Sequence, residues 1–369
     1  MHSWSLSLRS AVSRERLCQS SAAPPVAFTH FIKLTIQIAN RKGAPMSLIP
    51  VTILTGFLGS GKTTLLNRIL SEQHGHRIAV IENEFGEIGI DNDLLVREHN
   101  EQIVEMNNGC ICCNVRGDLV RILGELHDKR AAGALSFDRV IIETTGLADP
   151  SPVAQTFFVD DAISERYLLD AIITLVDAKH AMAQLGEHHE AQEQVGFADR
   201  ILLSKTDLVT VDEVNGLQAR LKRMNLRATI QPAHFGKAPI DQLLDIRGFN
   251  LNAILEIEPN FLTEETHEHD DDITSFIFQS DRAFNGDQLE AFLSGIVQVY
   301  GPQMLRYKGV LSVAGEKNRL VLQGVHMLMG TTNGPAWAKT EKRNSRMVFI
   351  GKDLPEDMIV GGLNSCLVA

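Results

Sequence analysis

The sequence predicts an α/β fold in which a doubly wound, mainly parallel sheet is followed by a smaller α+β domain. From Val51 onward, short runs rich in Val and Ile alternate with amphipathic stretches, which is typical of parallel strands covered by helices. A proline and a polar, acidic run interrupt this alternation at residues 258–272, as expected of a linker. Strand-like runs then outnumber helical ones, which indicates a second domain of different architecture.

The predicted organisation has five parts: a leader (1–46) that we expect to be disordered, a P-loop domain (47–257), an acidic linker (258–272), an α+β domain (273–360) and a tail (361–369). The first 45 residues carry six Lys or Arg and one Glu, a composition typical of an organelle transit peptide. Sequence upstream of a true start at Met46 explains the leader equally well, so it is excluded from the fold prediction.

Seven apolar runs in the first domain and four in the second are predicted strands. In chain order, the first seven are VTILT, RIAVIE, QIVEM, RVIIET, AIITLVDA, RILLSK and ATIQP. The last four are ITSFIFQS, LRYKGVLSVAG, NRLVLQGV and SRMVFIGK. Helices are predicted at residues 63–73, 118–129, 211–224 and 285–299. Ligands of parallel sheets bind beyond the carboxyl ends of the strands, so functional residues are expected where these runs end.

The composition is that of an ordinary soluble protein, and it excludes several classes. A formal net charge of −11 argues against a nucleic-acid partner. Every apolar run is shorter than the roughly 18 residues that a membrane helix needs, so no membrane partner is expected. Five cysteines in 369 residues are too few for a disulfide scaffold. A reducing compartment follows, and the cytoplasm is expected unless the leader is a transit peptide.

The segment GFLGSGKTT, at residues 56–64, is the strongest functional signal. It follows the strand VTILT, opens a helix and matches the phosphate-loop pattern G-x-x-x-x-G-K-[ST]. Glycines allow backbone N–H groups to turn toward phosphates, and the helix N-terminus favours the anion. We expect Lys62 to reach the β- and γ-phosphates and Thr63 to bind Mg²⁺. The predicted nucleotide-binding residues of this loop are Gly56, Gly59, Ser60, Gly61, Lys62, Thr63 and Thr64.

The segment ILLSKTDL is predicted to select the base. Asp207 would accept hydrogen bonds from the N1–H and the exocyclic amine of guanine, and adenine has no such pair of donors. Lys205 would lie along the base. Ser204 stands where the usual GTPase pattern has Asn, which weakens the guanine assignment without cancelling it.

The segment IIETTG is predicted to face the magnesium ion and the γ-phosphate. Glu143, at the end of a strand, can hold a magnesium-bound water, and Gly146 can offer a backbone N–H to the γ-phosphate. Asp177 also ends a strand, in TLVDA, and there a structural role is favoured.

Three of the five cysteines, Cys110, Cys112 and Cys113, lie within four positions. In an extended chain the first two project to one side and the third to the other, so they reach one ion only if the chain turns. Thiolates select zinc, copper(I) or similar soft metals, and three sulfurs leave a tetrahedral zinc one ligand short. The acidic segment IENEFGEIGID is a candidate source of the fourth ligand. A buried, inert cluster stays open as an alternative, and a strained disulfide is less favoured.

These motifs resemble the CobW-type GTPases, which are relatives of the nickel and cobalt insertion GTPases. GFLGSGKTT, ENEFG, GCICC, ETTG and SKTD stand in the order and spacing of that family, and the likeness covers about residues 47–358. Further segments, including ADPSPVAQTFF and MLRYKG, resemble its YjiA-like, zinc-binding branch. Many relatives carry a histidine-rich run of which only His267 and His269 remain here, so a solvated linker is favoured. The resemblance implies these metal ligands: Glu82, Glu87, Cys110, Cys112 and Cys113.

The resemblance further implies a slow GTPase that binds zinc, or cobalt or nickel, and delivers it to a client metalloprotein. We expect GTP and Mg²⁺ to order the glutamate and cysteine segments, and hydrolysis to lower the metal affinity. The predicted protein is a monomer or an oligomer that depends on metal or nucleotide. Two other hypotheses stay open: a GTP-gated interaction module with a structural metal, and a P-loop kinase or ATPase. The predicted catalytic residues are Lys62, Thr63, Glu143 and Gly146.

Overall fold

The computed structural model describes most of the chain from residue 48 onward. The described residues are 48–72, 74–82, 102–105 (backbone only), 115–233, 235–236, 238–246, 248, 272–338 and 340–368. The predictions for the leader and for most of the acidic linker, with His267 and His269, lie outside these residues, as do those for Glu87 and the three clustered cysteines. Among the described residues, no helix combines the length and the apolarity that a membrane crossing requires.

A seven-stranded parallel sheet forms the centre of the first domain, in the order β3-β2-β4-β1-β5-β6-β7. Because β1 lies between β4 and β5, the chain winds from the middle of the sheet toward both edges. In such sheets the crevice at the carboxyl ends of the central strands binds ligands. The strands are β1 (Ile49–Gly56), β2 (Ile78–Glu82), β3 (Gln102–Glu105), β4 (Arg139–Glu143), β5 (Tyr167–Asp177), β6 (Arg200–Ser204) and β7 (Thr229–Pro232).

Helices cover both faces of this sheet. Apolar side chains of α1 and of the chain after β7 pack on one face, and those of the other helices pack on the opposite face. The central strands are therefore buried on both sides, which explains their continuous Val- and Ile-rich runs. The helices are α1 (Lys62–Ser71), α2 (Val115–Ala131), α3 (Ser151–Val159), α4 (Asp161–Ser164), α5 (Ala181–Glu187), α6 (His189–Phe197) and α7 (Val211–Met224).

A five-stranded antiparallel sheet forms the second domain, in the order β11-β10-β9-β12-β8. The helices α8 (Gly286–Tyr300) and α9 (Glu356–Ser365) pack on one face. The other face contacts the first domain, where Leu305 and Ile350 join its core. The strands are β8 (Ile273–Ser280), β9 (Met304–Leu311), β10 (Asn318–Val325), β11 (Leu328–Ala336) and β12 (Ser345–Lys352).

A buried cluster of charges joins the two domains. Asp199, just before β6, accepts a hydrogen bond from Arg306 of β9 at 2.7 Å, and its Oδ1 lies 3.7 Å from the ammonium of Lys308. These three side chains are each 2% exposed. Burial alone would raise the pKa of Asp199. The positive charges of Arg306 and Lys308 outweigh burial, and the pKa is lowered to about 2. The carboxylate is therefore ionised and paired across the domain boundary.

The predicted fold class is confirmed, and the differences lie in particular elements. All eleven predicted strands and the four predicted helices are present, with ends shifted by a few residues. The sequence analysis gave no range for β11, nor for the helices α3, α4, α5, α6 and α9. The predicted boundary between residues 360 and 361 is corrected, because α9 continues to Ser365 with Ile359 and Leu363 fully buried. The other domain limits stay a prediction.

Candidate functional site

The phosphate loop joins β1 to α1 through backbone turns that require glycine. Gly56 has a φ of 142°, and a Cβ there would lie 2.3 Å from the carbonyl oxygen of Leu175. Gly59 and Gly61 have φ values of 73° and 99°, in the left-handed region that other residues rarely adopt. Gly61 immediately precedes the first turn of α1. The loop thus closes in front of a helix N-terminus, where backbone N–H groups favour an anion.

Lys62 lies over this loop. It is the first residue of α1 and is only 9% exposed. Its Nζ atom donates to the carbonyl oxygens of Gly56 at 2.8 Å and Phe57 at 3.4 Å. The buried stem and these two contacts hold the ammonium within the loop, where it can meet phosphate oxygens.

Thr63 and Glu143 meet at the carboxyl end of the central strands. Thr63 Oγ1 donates to Glu143 Oε1 at 3.2 Å. Glu143 is the last residue of β4, which pairs with β1, and Thr63 lies in the first turn of α1. Oxygen atoms are the ligands that Mg²⁺ prefers, so the donor set of this pair fits a magnesium ion next to Lys62.

The segment after β4 lies directly against the phosphate loop. The backbone N–H of Thr144 donates to Leu54 at 2.9 Å, and its hydroxyl donates to that of Thr55 at 2.8 Å. A Cβ at Gly146 would lie 2.7 Å from the backbone nitrogen of Leu58. Only glycine permits this close approach, which brings the Gly146 backbone beside the site expected for the γ-phosphate.

Ser204 connects the end of β6 to the phosphate loop. Its hydroxyl, at the end of β6, donates to the carbonyl oxygen of Ser60 at 2.7 Å across 144 residues of sequence. Both residues are buried. From the sequence, Ser204 counted against a guanine site because it replaces the usual Asn. In the structure, the hydrogen bond from this hydroxyl fixes the end of β6 relative to the phosphate loop.

Lys205 and Asp177 form an ion pair at the position where the base is expected to bind. Lys205 has a φ of 55°, and its Nζ atom lies 2.7 Å from Asp177 Oδ2. Asp177 also accepts from the backbone of Lys179 at 2.9 Å and contacts the ring of His180 at 2.9 Å. Burial alone would raise the pKa of Asp177. The hydrogen bonds from Lys205 and His180 outweigh burial, so the pKa lies below the ordinary value of 3.8. The sequence favoured a structural role for Asp177, and the structure specifies it as support for Lys205. Asp207 lies two residues beyond, on an exposed 3₁₀ turn.

Glu82 is the one predicted metal ligand that lies among the described residues. It ends β2, where its Cα partner is Glu143 on β4 and Glu105 on β3. Three acidic residues therefore stand side by side at the carboxyl ends of adjacent strands, which lie about 4.8 Å apart. Within the described part of the chain, no group of three His, Cys, Asp or Glu residues forms a metal site. The contribution of Glu87 and the three cysteines stays a prediction.

Sequence reasoning missed two contacts of the site. Gly236, in the loop after β7, has a φ of 71° and packs against the first turn of α1 beside Leu65. Gln194 of α6 donates to the carbonyl oxygens of Gly146 and Ala148. The glycine at position 236 was a sequence signal for the first contact. The sequence holds no signal for the contact of Gln194, because a glutamine in a polar helix resembles a surface residue.

Comparison with known proteins gives consistent matches over both domains. Residues 50–232 match the CobW/HypB/UreG nucleotide-binding domain, and residues 273–367 match the cobalamin synthesis protein CobW C-terminal domain. The chain is 44% identical over 315 residues to the zinc chaperone YjiA of Escherichia coli, covering 85% of this chain and 97% of the relative. It is 33% identical over 365 residues to the zinc chaperone CobW of Pseudomonas aeruginosa, covering 88% and 94%. The crystal structure of Zn(II)-bound YjiA GTPase from E. coli matches with a TM-score of 0.73 and 39% identity, covering 88% of this chain and 100% of that chain.

Proposed function

This chain belongs to the CobW family of P-loop proteins, and from that premise we propose that it is a GTPase that binds zinc and delivers it to a client metalloprotein. The contact of Thr63 with Glu143, together with the ammonium of the preceding residue, Lys62, within the phosphate loop, carries the proposal. It brings together the cation and the oxygen ligands that a magnesium–triphosphate complex requires. Relatives named zinc chaperones and a similar zinc-bound structure support zinc as the metal.

In the proposed reaction, the protein positions the triphosphate and stabilises the charge that develops on it. The N–H groups of the loop and Lys62 bind the β- and γ-phosphates. Mg²⁺, held through Thr63 and Glu143, would supply further neutralisation of the phosphate charge. Gly146 offers its N–H to the γ-phosphate, because its backbone lies against Leu58 of the loop. The attack of water on the γ-phosphate then yields GDP and phosphate.

Guanine selection falls to Lys205 and Asp207. The bond of Lys205 to the buried Asp177 fixes the lysine stem where the base is expected to lie. Asp207 presents its carboxylate to the two guanine donors, which adenine lacks. The bond from Ser204 to Ser60 keeps this group in register with the phosphate loop.

The position of Glu82 supports a coupling between the zinc cargo and the nucleotide. Glu82 and Glu143 are Cα partners on adjacent strands, so an ion held by Glu82 lies next to the magnesium side of the nucleotide. We propose that Glu82, Glu87 and the thiolates of Cys110, Cys112 and Cys113 hold the zinc. Cobalt or nickel would compete for the same ligands. A change at the γ-phosphate would then alter the metal site through neighbouring residues.

A hydrolysis assay with matched variants tests the proposed function. The unsubstituted protein should hydrolyse GTP in preference to ATP, and Lys62→Ala should abolish this activity. Lys129→Ala is the control, because Lys129 is exposed at the end of α2. Hydrolysis that survives in Lys62→Ala would show that the phosphate site is assigned wrongly. A clear preference for ATP would favour the P-loop kinase or ATPase hypothesis.

A GTP-gated interaction module with a structural metal is the second candidate. Leu58 and Leu147 favour it, because they are 55% and 51% exposed and flank the expected γ-phosphate. Exposed apolar groups at that place could contact a partner protein in one nucleotide state. Metal analysis separates the two functions. Zinc that passes to an acceptor during turnover supports delivery, whereas zinc retained through repeated turnover supports the module.

A further inference from the structure

A buried glutamine on α6 is bonded to the segment after β4. Gln194 is 1% exposed, and its Nε2 atom donates to the carbonyl oxygens of Gly146 at 3.2 Å and Ala148 at 3.0 Å. A buried amide that makes two such bonds determines the orientation of the peptides it contacts. The turn at residues 146–148 therefore takes its conformation in part from a side chain almost 50 residues away.

This turn is fixed at the point where it faces the nucleotide. Thr144 binds β1 at the start of the segment, and Asp149 accepts hydrogen bonds from the backbone and the hydroxyl of Ser151 at its end. Between these two attachments, Gln194 donates both of its amide hydrogens to the turn. Without that amide, among the hydrogen bonds between described residues, the middle of the segment would keep the local bond from the N–H of Ala148 to Thr145.

The helix that carries Gln194 is itself held on two sides. The backbone carbonyl of Gln194 accepts a hydrogen bond from the Thr174 hydroxyl of β5 at 2.7 Å. On the other side, Gly196 packs directly against Leu305 of β9, since a Cβ there would lie 2.6 Å from its side chain. A group that orients a reacting centre needs such support, because its own position must not vary.

We propose that Gln194 is a positioning residue for GTP hydrolysis. Its amide holds the turn at residues 146–148 so that the backbone N–H of Gly146 faces the γ-phosphate. This role rests on the GTPase function proposed above. GDP has no γ-phosphate, so Gln194 affects the binding of GTP and its hydrolysis but not the binding of GDP.

Two glutamines on the same helix provide a matched test. Gln194→Met fills the same space without the amide, and Gln192→Met is the control. Gln192 is 6% exposed and bonds to Leu185 and Ile273, away from the turn. We expect kcat in Gln194→Met to fall about tenfold, because a misplaced N–H donor stabilises the transition state less well. The ratio of the affinity for a non-hydrolysable GTP analogue to that for GDP should fall with it. Gln192→Met should lose similar thermal stability and keep both kcat and the ratio.

The outcome that overturns the proposal is a Gln194→Met protein with the kcat and the affinity ratio of the control variant. If Gln194→Met does not fold, Gln194→Ala is measured in its place, because a smaller side chain cannot clash. Failure of the proposed function is a separate result. If the unsubstituted protein hydrolyses no GTP, the proposed function and the role of Gln194 in hydrolysis both fail, whereas a loss of the affinity ratio in Gln194→Met alone would still show that its amide orients the turn toward the γ-phosphate.

Discussion

Thr63 Oγ1 and Glu143 Oε1 are joined by a hydrogen bond of 3.2 Å that spans 80 residues of sequence. The bond connects the first turn of α1 to the carboxyl end of β4, where the phosphate loop meets the sheet. Each residue alone is an ordinary polar group at the end of an element. Their meeting beside Lys62 defines the position that we assign to the magnesium ion.

Glu143→Gln should reduce magnesium-dependent hydrolysis, because the amide keeps the shape of the side chain but loses its charge. Loss of a group that supports a metal typically costs about 10–100-fold in affinity or activity, and we expect kcat to fall within that range. The measurement is GTP turnover against magnesium concentration. Glu125→Gln is the control, since Glu125 is exposed on α2. An unchanged magnesium dependence in Glu143→Gln would contradict this assignment.

Asp177→Asn should weaken the binding of GDP, because Lys205 loses its charged partner beside the expected base. Hydrogen bonds to charged groups contribute about 1.5–3 kcal/mol, so a loss of roughly tenfold or more in affinity is expected. Titration with a fluorescent GDP analogue measures it, with the exposed Asp212→Asn as the control. Equal affinities in the two variants would remove Asp177 from the account of base recognition.

Asp199→Asn should lower the free energy of unfolding strongly, because it leaves Arg306 and Lys308 without their buried carboxylate. Breaking a buried ion pair costs about 3–5 kcal/mol. Asp281→Asn removes an exposed pair with Lys342 and should cost about 0–1 kcal/mol. Urea unfolding of both variants makes the comparison. Similar losses in the two would show that the buried cluster contributes little.

The ionised carboxylate of Asp199 also predicts how the stability of the protein depends on pH. The pKa of Asp199 is lowered from 3.8 to about 2 in the folded protein, so the unfolded state binds the proton more readily. The stabilisation is fully present at pH values above 3.8, the pKa of Asp199 in the unfolded state, and it is lost as the pH falls from 3.8 toward 2. Unfolding of the unsubstituted protein and of Asp199→Asn, measured between pH 7 and pH 2, should therefore converge at the acidic end. Parallel curves over the whole range would contradict this linkage.

Much of the fold was predictable because local signals agreed with tertiary packing. Residues 211–224 were predicted as a helix and form α7 with the same bounds. Thr210 and Glu213 make a capping box at its start, and Leu217 and Leu221 give it a buried face. The strand β11 was missed, because it contains three polar residues, two glycines and a proline and is held mainly by its pairing with β10. Pairing with a neighbouring strand depends on tertiary structure, so the local sequence pattern does not predict it.

The candidate site was predictable where a motif specifies its own backbone, as in the phosphate loop with Gly56 and Gly61. Contacts across long sequence separations were not. The bond from Ser204 to Ser60 and the two bonds of Gln194 depend on how strands and helices are arranged in space. In the sequence, Ser204 therefore counted as a departure from a pattern, and Gln194 did not stand out.

The central claim is that the nucleotide and the zinc occupy neighbouring sites that influence each other. The most direct measurement is the zinc affinity of the protein loaded with a non-hydrolysable GTP analogue and with GDP, using a chromophoric competitor. We expect zinc to bind about tenfold more tightly with the analogue, on the order of 1.4 kcal/mol of coupling, and zinc to tighten analogue binding by the same factor. Replacing Cys110, Cys112 and Cys113 with Ser should remove the difference. Equal zinc affinities in the two nucleotide states of the unsubstituted protein would contradict the account.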